Sequence, residues 1–424
     1  MLGKFKNIFA VKDLRNKILF ILFVLVVFRF AANIPLPGVS VDRLQELFES
    51  NQLLGMLNMF SGGGLSNISI VLLGVGPYIT ASIIMQLLTM IVPSVEQMYK
   101  EDGEAGRQKF NMITRILTVP LAILQTVGMI TLLKSQGVIG DLPPYNFVIM
   151  VMTAVAGTIF LMWLGELITE KKLGNGISIM IFAGIVASLP TTIMQFKTVF
   201  DSTQIFTYIA FVAVAIATVI GVVFITEGKR IIPISYAKRM RGGGQYGGVK
   251  THLPLRVNQA GVIPIIFAVS LVLFPSMVGG VLMQMSNETL VSFGTTLTNL
   301  FANQWIYGVV YFSLVVAFTY FYTAVVFDPE KIAENLQRQG GYVEGMRPGK
   351  ETADYLGKIV NRITLTGSLF LGLIAVLPII VQGFLTNSAM FTVGGASILI
   401  IVSVVIEMVK QIDAQLVMRD YEQI

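Results

Sequence analysis

The residues able to do chemistry in this sequence are few, and most sit where chemistry would fail. Gly345-Met346-Arg347-Pro348-Gly349-Lys350-Glu351 comes closest to a phosphate-binding loop. It is one residue short and ends in a carboxylate where a hydroxyl would hold magnesium. Neither HExxH nor GxSxG occurs, so zinc-protease and nucleophile-elbow chemistry have no support. The chain has no Cys and one His, His252, which excludes disulfides, thiolate sites and His-cluster metal sites. Ion-coupled transport wants an ionisable group near the middle of a membrane span. Here Glu166, Glu227 and Glu407 lie near span ends, and Arg29 is the deepest charge. With no catalyst and no ion relay, what remains is a conduit.

The stretch from Met56 to Met90 points the same way. It begins apolar, breaks at Gly62-Gly63-Gly64, and resumes as a long apolar segment with a second soft spot, Gly74-Val75-Gly76-Pro77. Lipid cannot satisfy exposed backbone, so broken helix at membrane depth survives only inside protein or beside a water-filled cavity. A short apolar piece, a glycine hinge and a kinked span read as something that plugs a cavity and can leave it. A surface loop before a Pro-kinked helix would give the same string.

The elements that must position these residues are membrane spans. Hydrophobic residues make up 54% of the 424 and charged residues 13%, with a mean hydropathy of +0.75. Soluble domains carry about 25% charged residues, so the chain is expected to be a polytopic membrane protein. Ten apolar segments fall at roughly 18–34, 68–92, 112–133, 146–168, 177–195, 205–226, 259–283, 304–327, 363–383 and 393–410. Lys4, Lys6, Lys12, Arg15 and Lys17 precede the first, and no small-residue cleavage site follows, so an uncleaved first span is expected. Placing both termini in the cytosol leaves only Arg43, Lys134 and Lys197 of the 30 basic residues outside, with Arg29 inside the first span.

Ten spans divide into an N-terminal half, 1–196, and a C-terminal half, 205–424, joined by an outer connection at 197–204. An odd number of spans per half makes the halves run in opposite directions, and inverted repeats place a cavity at their interface near mid-membrane. Two cytosolic loops are long, 227–258 and 328–362. The first carries Lys229, Arg230, Lys238, Arg239, Arg241, Lys250 and Arg256 against the single acid Glu227. Ile232, Ile234 and Tyr236 alternate before a Gly-rich tip, as in a hairpin-like arm. The charge fits a topogenic loop beside anionic lipid; the length favours docking of a partner. The second loop presents Arg347-Pro348 between glycines.

Several strings carry a resemblance: Asn58-Met59-Phe60-Ser61-Gly62-Gly63, Pro77-Tyr78-Ile79-Thr80-Ala81-Ser82-Ile83-Ile84, Phe160-Leu161-Met162-Trp163-Leu164-Gly165-Glu166, Gly174-Asn175-Gly176-Ile177-Ser178-Ile179, Tyr236-Ala237-Lys238-Arg239, Thr251-His252-Leu253-Pro254-Leu255 and Met346-Arg347-Pro348-Gly349. From end to end the chain resembles the SecY family of protein-translocase channel subunits. The resemblance implies an all-α integral membrane fold of ten transmembrane helices, in two inverted five-helix halves that form a clamshell around an hourglass pore. It implies a passive, non-enzymatic, cofactor-free channel in the plasma (inner) membrane, through which unfolded secretory proteins pass and from which hydrophobic segments leave sideways.

Residue by residue, the family's pore ring falls on Val75, Ile79, Ile181, Ile266 and Ile400. Val75 stands where the family commonly has isoleucine, which implies a slightly looser seal. The plug falls on Met56, Leu57, Asn58, Met59, Phe60, Ser61, Gly62, Gly63, Gly64, Leu65 and Ser66. The lateral gate, between spans two and seven, would include Thr80 and Phe274. Docking of the SecA motor ATPase or the ribosome would use Lys238, Arg239, Arg241, Lys250, Arg256 and Arg347. The implied partners are SecE and SecG, SecA, the ribosome, signal-sequence-bearing unfolded polypeptides and anionic lipid.

Overall fold

The computed structural model describes residues 11–36, 68–135, 139–140, 143–199, 205–236, 239–241, 244–246, 250–283, 285, 287–384 and 395–422. Each of the ten apolar segments carries a helix. These are α1 (Lys12–Ala31), α2 (Gly76–Ile91), α4 (Gly103–Ser135), α5 (Pro144–Glu170), α6 (Gly176–Val199), α7 (Ile205–Glu227), α8 (Ile263–Leu282), α10 (Gln304–Val326), α12 (Lys350–Phe384) and α13 (Gly395–Glu422). Among the described residues, six helices are long and apolar enough to cross a membrane on their own. Three further helices, α3 (Pro93–Lys100), α9 (Glu288–Ala302) and α11 (Pro329–Arg338), lie between spans.

The second span departs from its expected outline at both ends. Residues 68–75 are turns rather than helix, and α3 leaves α2 at a bend of 108°. Proline explains the lower bend, since Pro93 cannot donate back into α2 but suits a first helical turn. The other two interspan helices, α9 and α11, and the span α10 start at side-chain caps. Asn287 accepts from the Thr289 amide, Asn303 from the Trp305 amide, and Asp328 from the Glu330 and Lys331 amides. Of the expected outer connection, residues 200–204 lie outside the described residues and 197–199 still belong to α6.

Packing closes a circuit of helices: α2 against α5, α5 against α6, α6 against α13, α13 against α12, α12 against α8, and α8 back against α2. The expected halves meet at two seams in this circuit. α2 and its neighbour α4 face α8 on one side, and α6 faces α13 on the other. One continuous apolar cluster fills the middle, with Val75, Ile79, Ile181, Ile266 and Ile400 all in it.

The two cytosolic loops fold together. β1 (Lys229–Tyr236) pairs antiparallel with β4 (Lys250–Arg256) from Lys229↔Arg256 to Ser235↔Lys250. β2 (Arg239–Arg241) and β3 (Gly244–Tyr246) form a separate small pair, and β5 (Gly341–Val343), from the second loop, adds to the free edge of β1. Alternation sets the facing: Ile232 and Ile234 are buried while Ile231 is exposed. Ile232, Leu255 and Val343 rest on Leu356 and Val360 of α12.

Candidate conducting pore

The pore is built upward from the broken start of the second span. Its turns are buried, with Ile68, Ser69 and Val71 all at 0% exposure. Buried backbone needs partners, and the end of the first span supplies them. Leu36 N donates to Ile68 O at 2.7 Å, and Ile70 N donates to Ile34 O at 3.0 Å. Gly157 of α5 makes room, because a Cβ there would collide with the Ile70 carbonyl oxygen. Non-helical backbone therefore survives here because protein surrounds it. The turns deliver Val75 as the cap of α2 and Ile79 one turn later.

Ile181 arrives from α6, Ile266 from α8 and Ile400 from α13, so the five expected ring residues come from four helices and share one buried apolar cluster. None of the five side chains is more than 5% exposed. α6 is fixed by its own turn, where the Gly176 amide donates to Thr169 Oγ1 at 2.9 Å and Asn175 Oδ1 accepts from the Ser178 amide at 3.2 Å. A Cβ at Gly176 would collide with the Gly165 carbonyl oxygen, so α5 and α6 touch backbone to backbone.

On the sheet side of the waist lies a cavity of about 540 Å³. Its lining is mixed, with Glu104, Asn111, Arg115, Glu166 and Glu170 beside the apolar Ile79, Ile263, Ile266 and Phe267. Arg115 Nε and Glu166 Oε1 pair at 2.6 Å across α4 and α5. The cavity therefore meets two of the expected ring residues, Ile79 and Ile266, whose aliphatic side chains offer water and ions no ligands.

The α2–α8 seam differs from its surroundings. Thr80 Oγ1 donates to Gly76 O at 3.1 Å and accepts from Gln125 Nε2 of α4 at 3.2 Å. Ser270 of α8 turns its hydroxyl to Ile266 O at 3.0 Å. Thr80, Gln125 and Ser270 line a void of about 40 Å³ with Val269 and Met277, enough for a water molecule or two. Phe274 is half-buried one turn beyond Ser270. Gln125 and Ser270 were absent from the expected gate, although a glutamine inside an apolar span is itself a signal.

Of the expected docking residues, Lys250, Arg256 and Arg347 are exposed. Lys250 Nζ pairs with Glu344 Oε1 at 2.9 Å, and Ser235 Oγ donates to the same oxygen at 2.9 Å. Those two bonds, Lys250's first, hold the Glu344 carboxyl below its usual range. They also tie the second loop, and with it Arg347, to the basic arm. Arg239 and Arg241 lie in β2. Lys238 and the whole plug, Met56 to Ser66, lie outside the described residues.

Comparison with known proteins gives one answer. The family model for SecY matches residues 69–409. The chain is 44% identical over 440 residues to the protein translocase subunit SecY of Streptomyces coelicolor, covering 100% of this chain and 99% of that one. A solved structure described as a protein conducting channel has TM-score 0.62 at 19% identity, covering 93% of this chain and 90% of its own. The channel in the canine ribosome-channel complex from the endoplasmic reticulum has TM-score 0.59 at 17% identity, over 93% of this chain and 90% of its own. The ten helices and the central apolar cluster thus have a common explanation: the chain belongs to the SecY family, the non-enzymatic protein-conducting channel subunits of the bacterial plasma-membrane translocase.

Proposed function

We propose that unfolded polypeptide enters through the polar mouth, passes the waist of Val75, Ile79, Ile181, Ile266 and Ile400, and leaves on the far side, with Met56–Ser66 as the displaceable plug. The observation that supports this reading is that the five aliphatic side chains, from both halves of the chain, are buried in one apolar cluster, and that two of them, Ile79 and Ile266, line a cavity with polar side chains in its wall. Aliphatic side chains make no directional bonds, so the ring fits any passing sequence and seals again behind it. Hydrophobic segments would leave sideways between α2 and α8, past Thr80 and Phe274, as the halves 1–196 and 205–424 hinge about 197–204.

The channel itself stores no energy source, so a partner supplies it. The united sheet, with Lys238, Arg239, Arg241, Lys250, Arg256 and Arg347, is the proposed seat for SecA or the ribosome. A ribosome-bound relative of the same fold supports that reading. Phosphate contacts to ribosomal RNA would make binding salt-sensitive. SecE and SecG complete the proposed complex.

The test is import of an unfolded secretory precursor into proteoliposomes holding the complex, scored by protease protection. Protection should require SecA and ATP, and Arg347→Glu should abolish it while insertion of the channel is unchanged. Export that survives Arg347→Glu removes the docking assignment; no protection with the wild type removes the conduit reading. Independently, Val75→Gly with Ile79→Gly should raise resting ion conductance at least about tenfold, and unchanged conductance would count against the ring.

A further inference from the structure

Arg347 stands in a short loop, 344–349, between β5 and α12. Met346, Arg347 and Pro348 are all exposed. The course of the loop needs glycine, since Gly345 and Gly349 have φ of +82° and +97°. Its start is held by β5, by the Met346 amide donating to the Val343 carbonyl oxygen at 3.1 Å, and by the two bonds to Glu344. Its far end lacks the usual helix cap, because Gly349, just before α12, has no side chain to offer.

Thr352, in the first turn of α12, fills that gap from the other direction. Its Oγ1 donates to the Arg347 carbonyl oxygen at 2.8 Å, and among the described residues this is the one hydrogen bond that Arg347 makes. The bond is unusual for a helical threonine. Thr118 and Thr319 turn their hydroxyls to carbonyls four residues earlier in their own helices, at 2.8 and 2.7 Å, a local pattern common to such side chains. Thr352 instead bonds outside its helix, to a residue five positions back. It is buried, at 2% exposure, although the loop tip is in water, so solvent does not compete for the hydroxyl.

We propose that Thr352 is a positioning residue for Arg347: its hydroxyl fixes the main chain at 347, so that the guanidinium meets SecA from one constant point. This rests on the reading of Arg347 as a docking residue. Untied, the loop tip and its long side chain must be ordered at each encounter, and ordering one such side chain weakens binding about threefold to tenfold. The tie is made within the chain itself, before SecA arrives. Only a donor serves, since the Arg347 carbonyl oxygen is an acceptor. Valine matches threonine in shape and removes that donor.

The experiment titrates SecA onto the purified channel complex in proteoliposomes to read affinity, and separately reads precursor import at saturating SecA. Thr352→Val should raise the Kd about threefold to tenfold, while import at saturation stays near the wild-type rate. Thr352→Ser, which restores the donor, should bring the Kd back. In an Arg347→Gln background, Thr352→Val should change the Kd no further, because the two residues act as one unit. An unchanged Kd in Thr352→Val overturns the proposal. So does an equal loss in the Arg347→Gln background, which marks a merely structural role. The tie itself is read without SecA. The chain has no Cys, so a spin label on Arg347→Cys reports on this position, and it should gain mobility in Thr352→Val. Equal mobility with threonine and valine overturns the positioning role, whereas a Kd unmoved by Arg347→Gln alone removes the docking assignment. Thr352→Ala, which removes the same donor without adding a methyl, repeats the comparison if the valine variant does not assemble.

Discussion

The two seams of the helix circuit are built on opposite principles. At the α6–α13 seam, Ile181, Ile185, Leu399, Ile400 and Val404 are all buried in the central cluster. The seam is also fastened at its end, where Gln415 Nε2 of α13 donates to the Lys172 carbonyl oxygen at 2.8 Å. Lys17 Nζ of α1 donates to Gln415 Oε1 at 3.4 Å, so three segments meet there. At the α2–α8 seam, Thr80 and Ser270 bond into their own helices and a small void lies between them. Apolar packing without voids resists separation. Hydroxyls beside a void have already given up part of that cohesion, and they hydrate readily as the seam widens. The contrast supports the proposed gate at the α2–α8 seam, with the α6–α13 seam as the side that stays closed.

The largest expected effect comes from locking each seam in turn. The chain has no Cys, so an introduced pair is the only one present. A cross-link between Thr80→Cys and Ser270→Cys should stop precursor import, whereas one between Lys172→Cys and Gln415→Cys should leave it near the wild-type rate. Equal inhibition by both would erase the distinction between the seams. Next is Gly176→Ala, whose new methyl meets the backbone of α5 rather than a flexible side chain. It should destabilise the α5–α6 unit by about 3 kcal/mol, read as a lower Tm of the purified complex.

A smaller effect is expected from Gln125→Leu. Removing its amide leaves Thr80 bonded to Gly76 but dries the void, favouring closure by about 1 kcal/mol, or roughly a fivefold loss of open channel. Import of a precursor with a weak signal sequence should slow accordingly; an unchanged rate would mean that this polar patch is incidental. The smallest effect on import is expected from Gln415→Leu, which loses the hydrogen bonds to Lys172 and Lys17, costs about 1–2 kcal/mol of stability and leaves import unaffected. A shift in import larger than that of Gln125→Leu would reverse the roles of the seams.

Hydropathy and the placement of Lys and Arg made the membrane class and ten helical segments legible, because lipid imposes length and apolarity on any helix that crosses it. The ring was not legible from residue type. An isoleucine on a membrane helix carries the same signature whether it lines a pore or packs a core, and only the family resemblance distinguished Ile181 or Ile400. The turns at 68–75 were hidden for a similar reason: Val71, Leu72 and Leu73 read as helix, and what overrides that reading is pairing with residues more than 30 positions earlier. The joining of β5 to β1 was invisible too, since Glu344 and Ser235 meet across 109 positions of chain. Gln125, by contrast, was legible and overlooked.

The sheet has a mechanical consequence. It rests on the first turns of α12, a helix of 35 residues and so about 50 Å long. The hydrocarbon core of a bilayer is about 30 Å thick, so some 20 Å of that rod is available to stand clear of it. A load applied at Arg347 therefore acts at the end of a stiff lever whose other arm lies within the C-terminal half. A pull across the sheet would tilt α12 and, through it, its neighbours α8 and α10. Displacement generated in water could then reach the waist as rotation, with no signal passing through the pore itself.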